Sequence, residues 1–254
     1  MGRVVLLCAL LTAGCGRLAF ESHDSGLADA PPARDGDAAD AADALSGCPS
    51  GAILCDDFEI GDLSRWSGLL LDGPATLDVN GTRVHTGMFA LDAAVGPAAS
   101  DGGNAVPYLH LATARSTGVL AVREWLSLDS TLQLFNMMIV MHNEGTNQFV
   151  AAGGNNVGDW VVTDDDGNGP TIDHQSTSPT PAVGTWTCVE LVYSFPPVNR
   201  IELFVDDTRV LDAVPSDAAP AFTDFQVGVG RADMTGMHVY LDDVVIADHR
   251  IGCE

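Results

Sequence analysis

Asp164-Asp165-Asp166-Gly167-Asn168-Gly169 is the stretch whose residue types and spacing come nearest to chemistry. Asp164, Asp166 and Asn168 place oxygen ligands at alternate positions, and the glycines allow the tight bend of a calcium loop. Calcium (Ca2+) is the one cofactor to which the chain points. The twelfth position of such a loop holds Gln175 instead of a bidentate Glu. A hairpin tip between Trp160–Thr163 and Thr171–Asp173 therefore competes, because Asp, Asn and Gly favour turns without any metal. Trp125 and Trp160 fall in strand-like runs, where an indole face would match the apolar C–H face of a pyranose. Arg123, His142 and Asn143 are the polar neighbours that would orient such a sugar. The other histidines of this region (His85, His110, His174, His238 and His249) are scattered and read as ordinary strand or surface residues. No Gly-x-Ser-x-Gly elbow is present to raise a nucleophile.

Positioning these side chains falls to short strands. The stretch Gly184 to Asp212 carries two of them, Trp186–Phe195 and Ile201–Val205, around a turn of Pro196, Pro197, Val198 and Asn199. Ile201, Leu203 and Val205 alternate with Glu202, Phe204 and Asp206, as in a strand with one buried face. In the first run Thr187, Val189, Leu191, Tyr193 and Phe195 oppose Trp186, Cys188 and Val192, so both faces are partly apolar. Such a hairpin is not stable alone and needs the sheets it joins. Similar bursts recur at Ala75–Val79, Phe89–Val95, Gly118–Leu128, Leu132–Met141, Phe149–Gly153, Trp160–Thr163, Phe222–Gly228 and His238–Ala247. Turn residues separate them, and no sustained helical repeat or internal repeat is visible. A dozen or so short strands predict an all-β fold: a two-sheet antiparallel jelly-roll sandwich.

The segment GTWTCVELVYS…IELFVDDTRV resembles the hairpin of concanavalin A-like lectin/glucanase jelly rolls, the laminin-G-like branch in particular. Phe58-Glu59 with Asp62-Leu63-Ser64 and Trp66 near the start, and Tyr240–Ile246 at the end, carry the same likeness. It spans roughly Asp57 to Ile251 and departs at Asp207-Thr208, where the family commonly has Asp-Gly. The resemblance implies that the first and last strands are sheet neighbours and that Trp66 and Trp186 occupy core positions. Glucanases of this fold carry Glu-x-Asp-x-x-Glu, two carboxylates on one strand face for acid and nucleophile work. This sequence lacks that triplet. It also lacks the Arg-Ser-Glu-x-Arg and Gln-x-His patterns of lyases with the fold, of which Arg123-Glu124 echoes only a fragment.

Residues 1–14 read as an export signal: Arg3, the apolar run Val4–Ala13, then Gly14 before Cys15. The run is too short to span a membrane. LTAGC resembles the bacterial lipobox, with Thr12 where that pattern prefers Leu. The resemblance implies lipidation at Cys15 and, through Gly16, outer-membrane delivery; an ordinary secretory signal on a secreted chain is the alternative. Residues 15–47 are rich in Ala, Asp, Pro and Gly and read as a disordered tether. That leaves residues 48–254 as one domain. Its four cysteines, Cys48, Cys55, Cys188 and Cys253, fit two disulfides in an exported chain. Cys48–Cys55 with Cys188–Cys253 is the first pairing to expect, and Cys55–Cys253 is its rival because the terminal strands should be neighbours.

The 254 residues hold 35 acidic side chains against 11 basic ones, all of them Arg, for a net charge of −24. A sequence-independent grip on nucleic acid is excluded on that balance, as is docking on anionic lipid other than through the N-terminal lipid. The expected function is a non-catalytic, lectin-like domain on an outer-membrane lipoprotein, holding a glycan or a cell-envelope partner. A divergent polysaccharide hydrolase or lyase and a purely structural envelope protein are the alternatives. In a detergent phase partition, the wild type is expected in the detergent phase and Cys15→Ser in the aqueous phase; a Ser variant that stays with detergent rules out lipidation at this residue.

Overall fold

The computed structural model describes residues 48–96, 106–132, 136–155, 157–167, 170–216, 221–230 and 236–253. The export signal, Cys15, the tether and Asn168 lie outside the described residues. In chain order the strands are β1 (Ala52–Asp56), β2 (Gly68–Asp72), β3 (Ala75–Asn80), β4 (Ala90–Val95), β5 (Val106–Arg115), β6 (Val119–Leu128), β7 (Asn136–Asn143) and β8 (Gln148–Gly154). There follow β9 (Asp159–Asp165), β10 (Ile172–Pro179), β11 (Thr187–Ser194), β12 (Arg200–Val205), β13 (Thr208–Ala213), β14 (Phe222–Gly230) and β15 (Met237–Ala247). The described residues contain no helix.

Chains that alternate apolar and polar residues over short runs bury the apolar set by pairing strands and stacking two sheets. Sheet A runs β13-β12-β11-β6-β15-β4-β3, with β1 also on β15; sheet B runs β10-β9-β8-β7-β14-β5-β2. All ladders are antiparallel. The first and last strands are neighbours, as the resemblance implied. Between the sheets lies one core to which nearly every strand contributes, including Leu126 (β6), Ile139 (β7), Leu191 (β11), Phe225 (β14) and Leu241 (β15).

The anticipated hairpin is β11 against β12, with Val189, Leu191 and Tyr193 beside Ile201 and Leu203 on the core face of sheet A. Tyr193 meets Phe195 and Phe222 edge-on, each pair of centroids 4.9 Å apart. The chain then turns into β13 through Asp206 and Asp207, at φ 45° and 60°. Positive φ at both central residues matches the twist of the flanking strands, so Asp206 and Asp207 both take the left-handed conformation that Gly, Asn and Asp adopt most readily. Four strands fall outside the bursts picked out in the sequence, β1, β2, β5 and β13. β5 begins Val106-Pro107 and its second half is small and polar, which weakens the alternation.

Both disulfides form in the first expected pairing, Cys48–Cys55 and Cys188–Cys253, and not as Cys55–Cys253. The second fastens the C-terminal segment over the outer face of sheet A. There the backbone N–H groups of Ile251 and Gly252 donate to the fully buried Glu190 carboxylate, and Arg250 lies 3.9 Å from the Phe204 ring centroid.

One strand breaks its own pattern. β6 turns Leu120, Val122, Leu126 and Leu128 into the core, and Glu124 lies on that same face, fully buried with neither oxygen hydrogen-bonded. Burial pushes its carboxyl from 4.5 up to about 8. A raised acid keeps its proton in the folded state where the unfolded chain has lost it. Stability from this group is therefore full below about pH 4.5 and falls as pH rises to about 8, by at most about 1.4 kcal/mol per pH unit. Glu124→Leu is expected to flatten that decline and raise the urea midpoint at pH 8 more than at pH 5. Equal shifts at both pH values would mean that Glu124 is ionised throughout.

Candidate functional site

The cross-strand register sets up two rows on sheet B. Thr163 (β9), Ala151 (β8), Val140 (β7), Gln226 (β14) and His110 (β5) stand side by side, ending at Gly68 on β2. The adjacent row is Asp165, Phe149, His142, Asp224 and Ala112. Both rows face away from the inter-sheet core, because Val140 and Ala151 pack with Tyr108 in a separate cluster while Ile139, Met141, Val150 and Ala152 belong to the core. Glycines keep the relief of this outer face low. A Cβ at Gly230 would fall 2.1 Å from Tyr108 Oη, so the tyrosine ring lies across β14, where its hydroxyl donates to Met137 O at 2.8 Å. A Cβ at Gly68 would fall 2.8 Å from His110 Nε2, so that ring lies across the edge strand β2. The result is a low-relief band across the strands, here termed the trough.

Toward its β2 end His110 Nδ1 lies 2.9 Å from Asp224 Oδ1, and Gln226 Nε2 donates to Asp224 Oδ2 at 2.7 Å. Asp224 is 1 % exposed, so both oxygens are held in a nearly dry setting. A carboxylate only accepts; it draws the imidazole proton to Nδ1 and leaves Nε2 as the acceptor of the neutral ring. His142, opposite Asp224 on β7, is buried, and that burial holds its pKa below the ordinary value against the opposing pull of Asp224 and Glu144. Half-buried Phe149 adds an aromatic side chain in the same row. The arrangement can receive hydroxyls on His110 Nε2 and apolar ring faces on Phe149. It has no second carboxylate beside Asp224 to form an acid–nucleophile pair.

Of the residues picked out in the sequence, His142 alone reaches this trough. Asn143, one residue on, points the other way: its side chain accepts from Gly145 N and Thr146 N and donates to Ala221 O, closing the β7–β8 turn. Trp160 is fully buried in the core, because β9 turns Trp160 and Val162 inward, and so it has no face free for a sugar. Trp125 and Arg123 lie on the opposite side of the molecule, on the outer face of sheet A. Trp125 is stacked on His85, with centroids 3.9 Å apart and planes at 15°. Trp186, expected in the core, leans on the same His85 at 5.6 Å and is half-buried, since it shares the outward parity of Cys188 and Glu190. Arg123 is buried and donates to Asp243 O and Gly252 O; burial lowers its pKa. The segment bearing His85 is pinned by the buried Asp242, which accepts from His85 N, Thr86 N and Asp243 N. Burial, then Asp243, pushes that carboxyl up to about 7. These rings cover the sheet and hold a loop.

Of the expected calcium ligands, Asp164 is buried and accepts from Ser216 N. Its neighbour Asp165 closes the turn onto Gly167 N and Thr171 Oγ1. Among the described residues no three His, Cys, Asp or Glu side chains are grouped to hold a metal. The hairpin tip accounts for this geometry.

The sequence singled out neither Asp224 nor Gln226, and His110 read there as an ordinary strand or surface residue. Asp224-x-Gln226 on one strand face was a local signal, but its meaning depends on His110, 114 residues away.

No protein-family model matches the chain, and no curated protein matches it in sequence. Solved structures do. A cellulose-induced protein, Cip1, superposes with a TM-score of 0.65 at 20 % identity, over 79 % of this chain and all (100 %) of that one. The fold is a concanavalin A-like jelly roll. An endo-β-1,4-glucuronan lyase from the fungus Trichoderma reesei matches with a TM-score of 0.62 at 13 % identity, over 77 % of this chain and 95 % of that one. The botulinum neurotoxin type G receptor-binding domain matches with a TM-score of 0.52 at 12 % identity, over 80 % and 49 %. At these identities the likeness is one of fold.

Gly68→Val tests how the trough is kept. The clash is with the far end of a side chain that can swing away, so folding stability should change by less than about 1 kcal/mol. The ring should leave Asp224, and the slowly exchanging His110 Nδ1–H proton resonance should vanish. If it persists, His110 does not depend on the glycine.

Proposed function

We propose that this chain is an exported glycan-binding protein that holds a polysaccharide in the trough of sheet B without cleaving it. The observation that carries this is the Asp224-held pair of His110 and Gln226 on a face kept low by glycine, with Phe149 on the same face two strands along from Asp224. Fixed polar groups on one face with an aromatic ring are what a lectin-like site needs for orientation and apolar contact. Two disulfides fit an oxidising, extracytoplasmic compartment. No helix among the described residues is long and apolar enough to cross a membrane. The proposed attachment, which rests on the LTAGC motif, is the lipid on Cys15 with delivery to the outer membrane.

Absent catalytic pairing supports holding over hydrolysis. Asp224 has both oxygens engaged, and Glu190, a candidate carboxylate of the hairpin, is sealed beneath the C-terminal segment. One observation favours a second reading, an elimination in which neutral His110 takes a proton through Nε2 with Asp224 orienting it. Against it, Gln226 is committed to Asp224, and no described Arg stands on this face to neutralise a uronate.

Calorimetric titration of the exported chain with a panel of soluble polysaccharides, read beside ultraviolet absorbance for unsaturated products, separates the two. Binding without product is expected, weakened roughly tenfold by His110→Ala, the size of one lost hydrogen bond to a polar ligand. Product formed by the wild type and lost in His110→Ala would establish the elimination instead; binding that ignores the substitution would place the glycan elsewhere.

A further inference from the structure

The arginines and the carboxylates are distributed unequally between the two faces. Six of the seven arginines among the described residues are engaged on the sheet A side or with the segments that cover it, and the seventh, Arg115, ends β5 of sheet B opposite the core residue Phe222, off the face of the trough. Arg65 donates to Cys55 O on β1. Arg83 donates to Ser127 Oγ and Leu128 O on β6. Arg123 is held by the C-terminal segment and Asp243. Arg200 and Arg209 pair with Glu202 and Asp212 on β12 and β13. Arg250 pairs with Asp207, and Arg115 lies in the field of Asp248.

The trough has no such compensation. Asp72, Asp165, Asp173 and Asp224 share the parity of its rows, since Asp72 follows Leu70 on β2 and Asp173 stands opposite Thr163. Thr163 Oγ1 donates to Asp173 Oδ1, which fixes that carboxylate at the trough's end. Glu144 adds a further negative charge close enough to act on His142, whose burial disfavours the cationic form. The whole chain carries −24 and contains no lysine, so nothing in its far field offsets this. A groove lined by one sign of charge concentrates ligands of the other sign and repels its own. Anionic polysaccharides are thus excluded, and ligands bearing protonated amines gain both encounter rate and selectivity over neutral ones.

We infer that the trough selects glycans with free amino groups, of the polyhexosamine class, over N-acylated, neutral and uronic-acid chains. The inference rests on the trough being the glycan site and adds the chemistry of its ligand. The amines would meet Asp165 and Asp173 toward the β10 end of the trough, while ring hydroxyls meet His110 Nε2 toward its β2 end.

Three oligosaccharides of equal length test it: a β-1,4-linked glucosamine chain, its fully N-acetylated form and a uronic-acid chain. Each is titrated into the exported chain at low and at physiological ionic strength, at a pH where the amines are protonated. The free-amine chain should bind about tenfold more tightly than the acetylated one at low salt and lose much of that margin at physiological salt. The uronic-acid chain should not bind. Because any acidic protein attracts a polycation, two charge deletions are compared. Asp173→Asn, at the trough, should weaken the free-amine chain about fivefold. Asp248→Asn, whose side chain is 71 % exposed on the other side, should leave it unchanged. Equal effects of the two substitutions, or equal or tighter binding of the acetylated or uronic-acid chain, would overturn the inference. If the acetylated chain binds best and His110→Ala abolishes it, the trough remains the glycan site with a different specificity. If none of the three binds, both conclusions fall.

Discussion

Buried carboxylates that must be satisfied chiefly by N–H donors, with few cations to hand, are the constraint on which this structure turns. Acids outnumber arginines by 35 to 11, so those that enter the interior find N–H donors instead. Asp56 accepts from Phe58 N and the Trp66 indole and so fixes the chain's entry into the sandwich. Asp242 gathers the backbone of the segment that bears His85, and Glu190 gathers that of the C-terminal segment. Glu59 takes Met88 N and Phe89 N and ties the other end of the same β3–β4 connection. Each contact orders an irregular segment, because a carboxylate accepting two or three N–H bonds loses far more if the segment leaves. Glu124 is the exception that shows the rule, since with no donor in reach its carboxyl stays protonated at neutral pH.

The two outer faces differ for the same reason. On sheet A the acids have drawn loops and arginines over the strands, so Trp125 and Arg123 are covered from within the chain. On sheet B the central acid, Asp224, is satisfied by two side chains of the sheet itself. No loop is needed to hold it, and the imidazole it orients keeps its Nε2 for other partners.

Much of the architecture could be read along the chain. Strand positions followed the period-two bursts, the hairpin at β11–β12 formed with the predicted faces, and the cysteines paired as spacing favoured. What could not be read was which of a strand's two faces meets the core when both are partly apolar. Trp160 and Trp186 show this: the aromatic expected outside is buried and the one expected inside is half-exposed. Only the sheet into which each strand docks decides it, since a shift of one residue exchanges every side chain between faces.

By itself, then, the sequence determined an all-β sandwich, its disulfides and its acidity, because periodicity, cysteine spacing and charge are local or additive properties. Tertiary structure alone decided the site. His110, His142 and Asp224 come from β5, β7 and β14, and their meeting depends on β14 lying between the other two in fixed register. Cross-strand pairing of that kind is set by the summed burial of whole sheets, and no short stretch of residues encodes it.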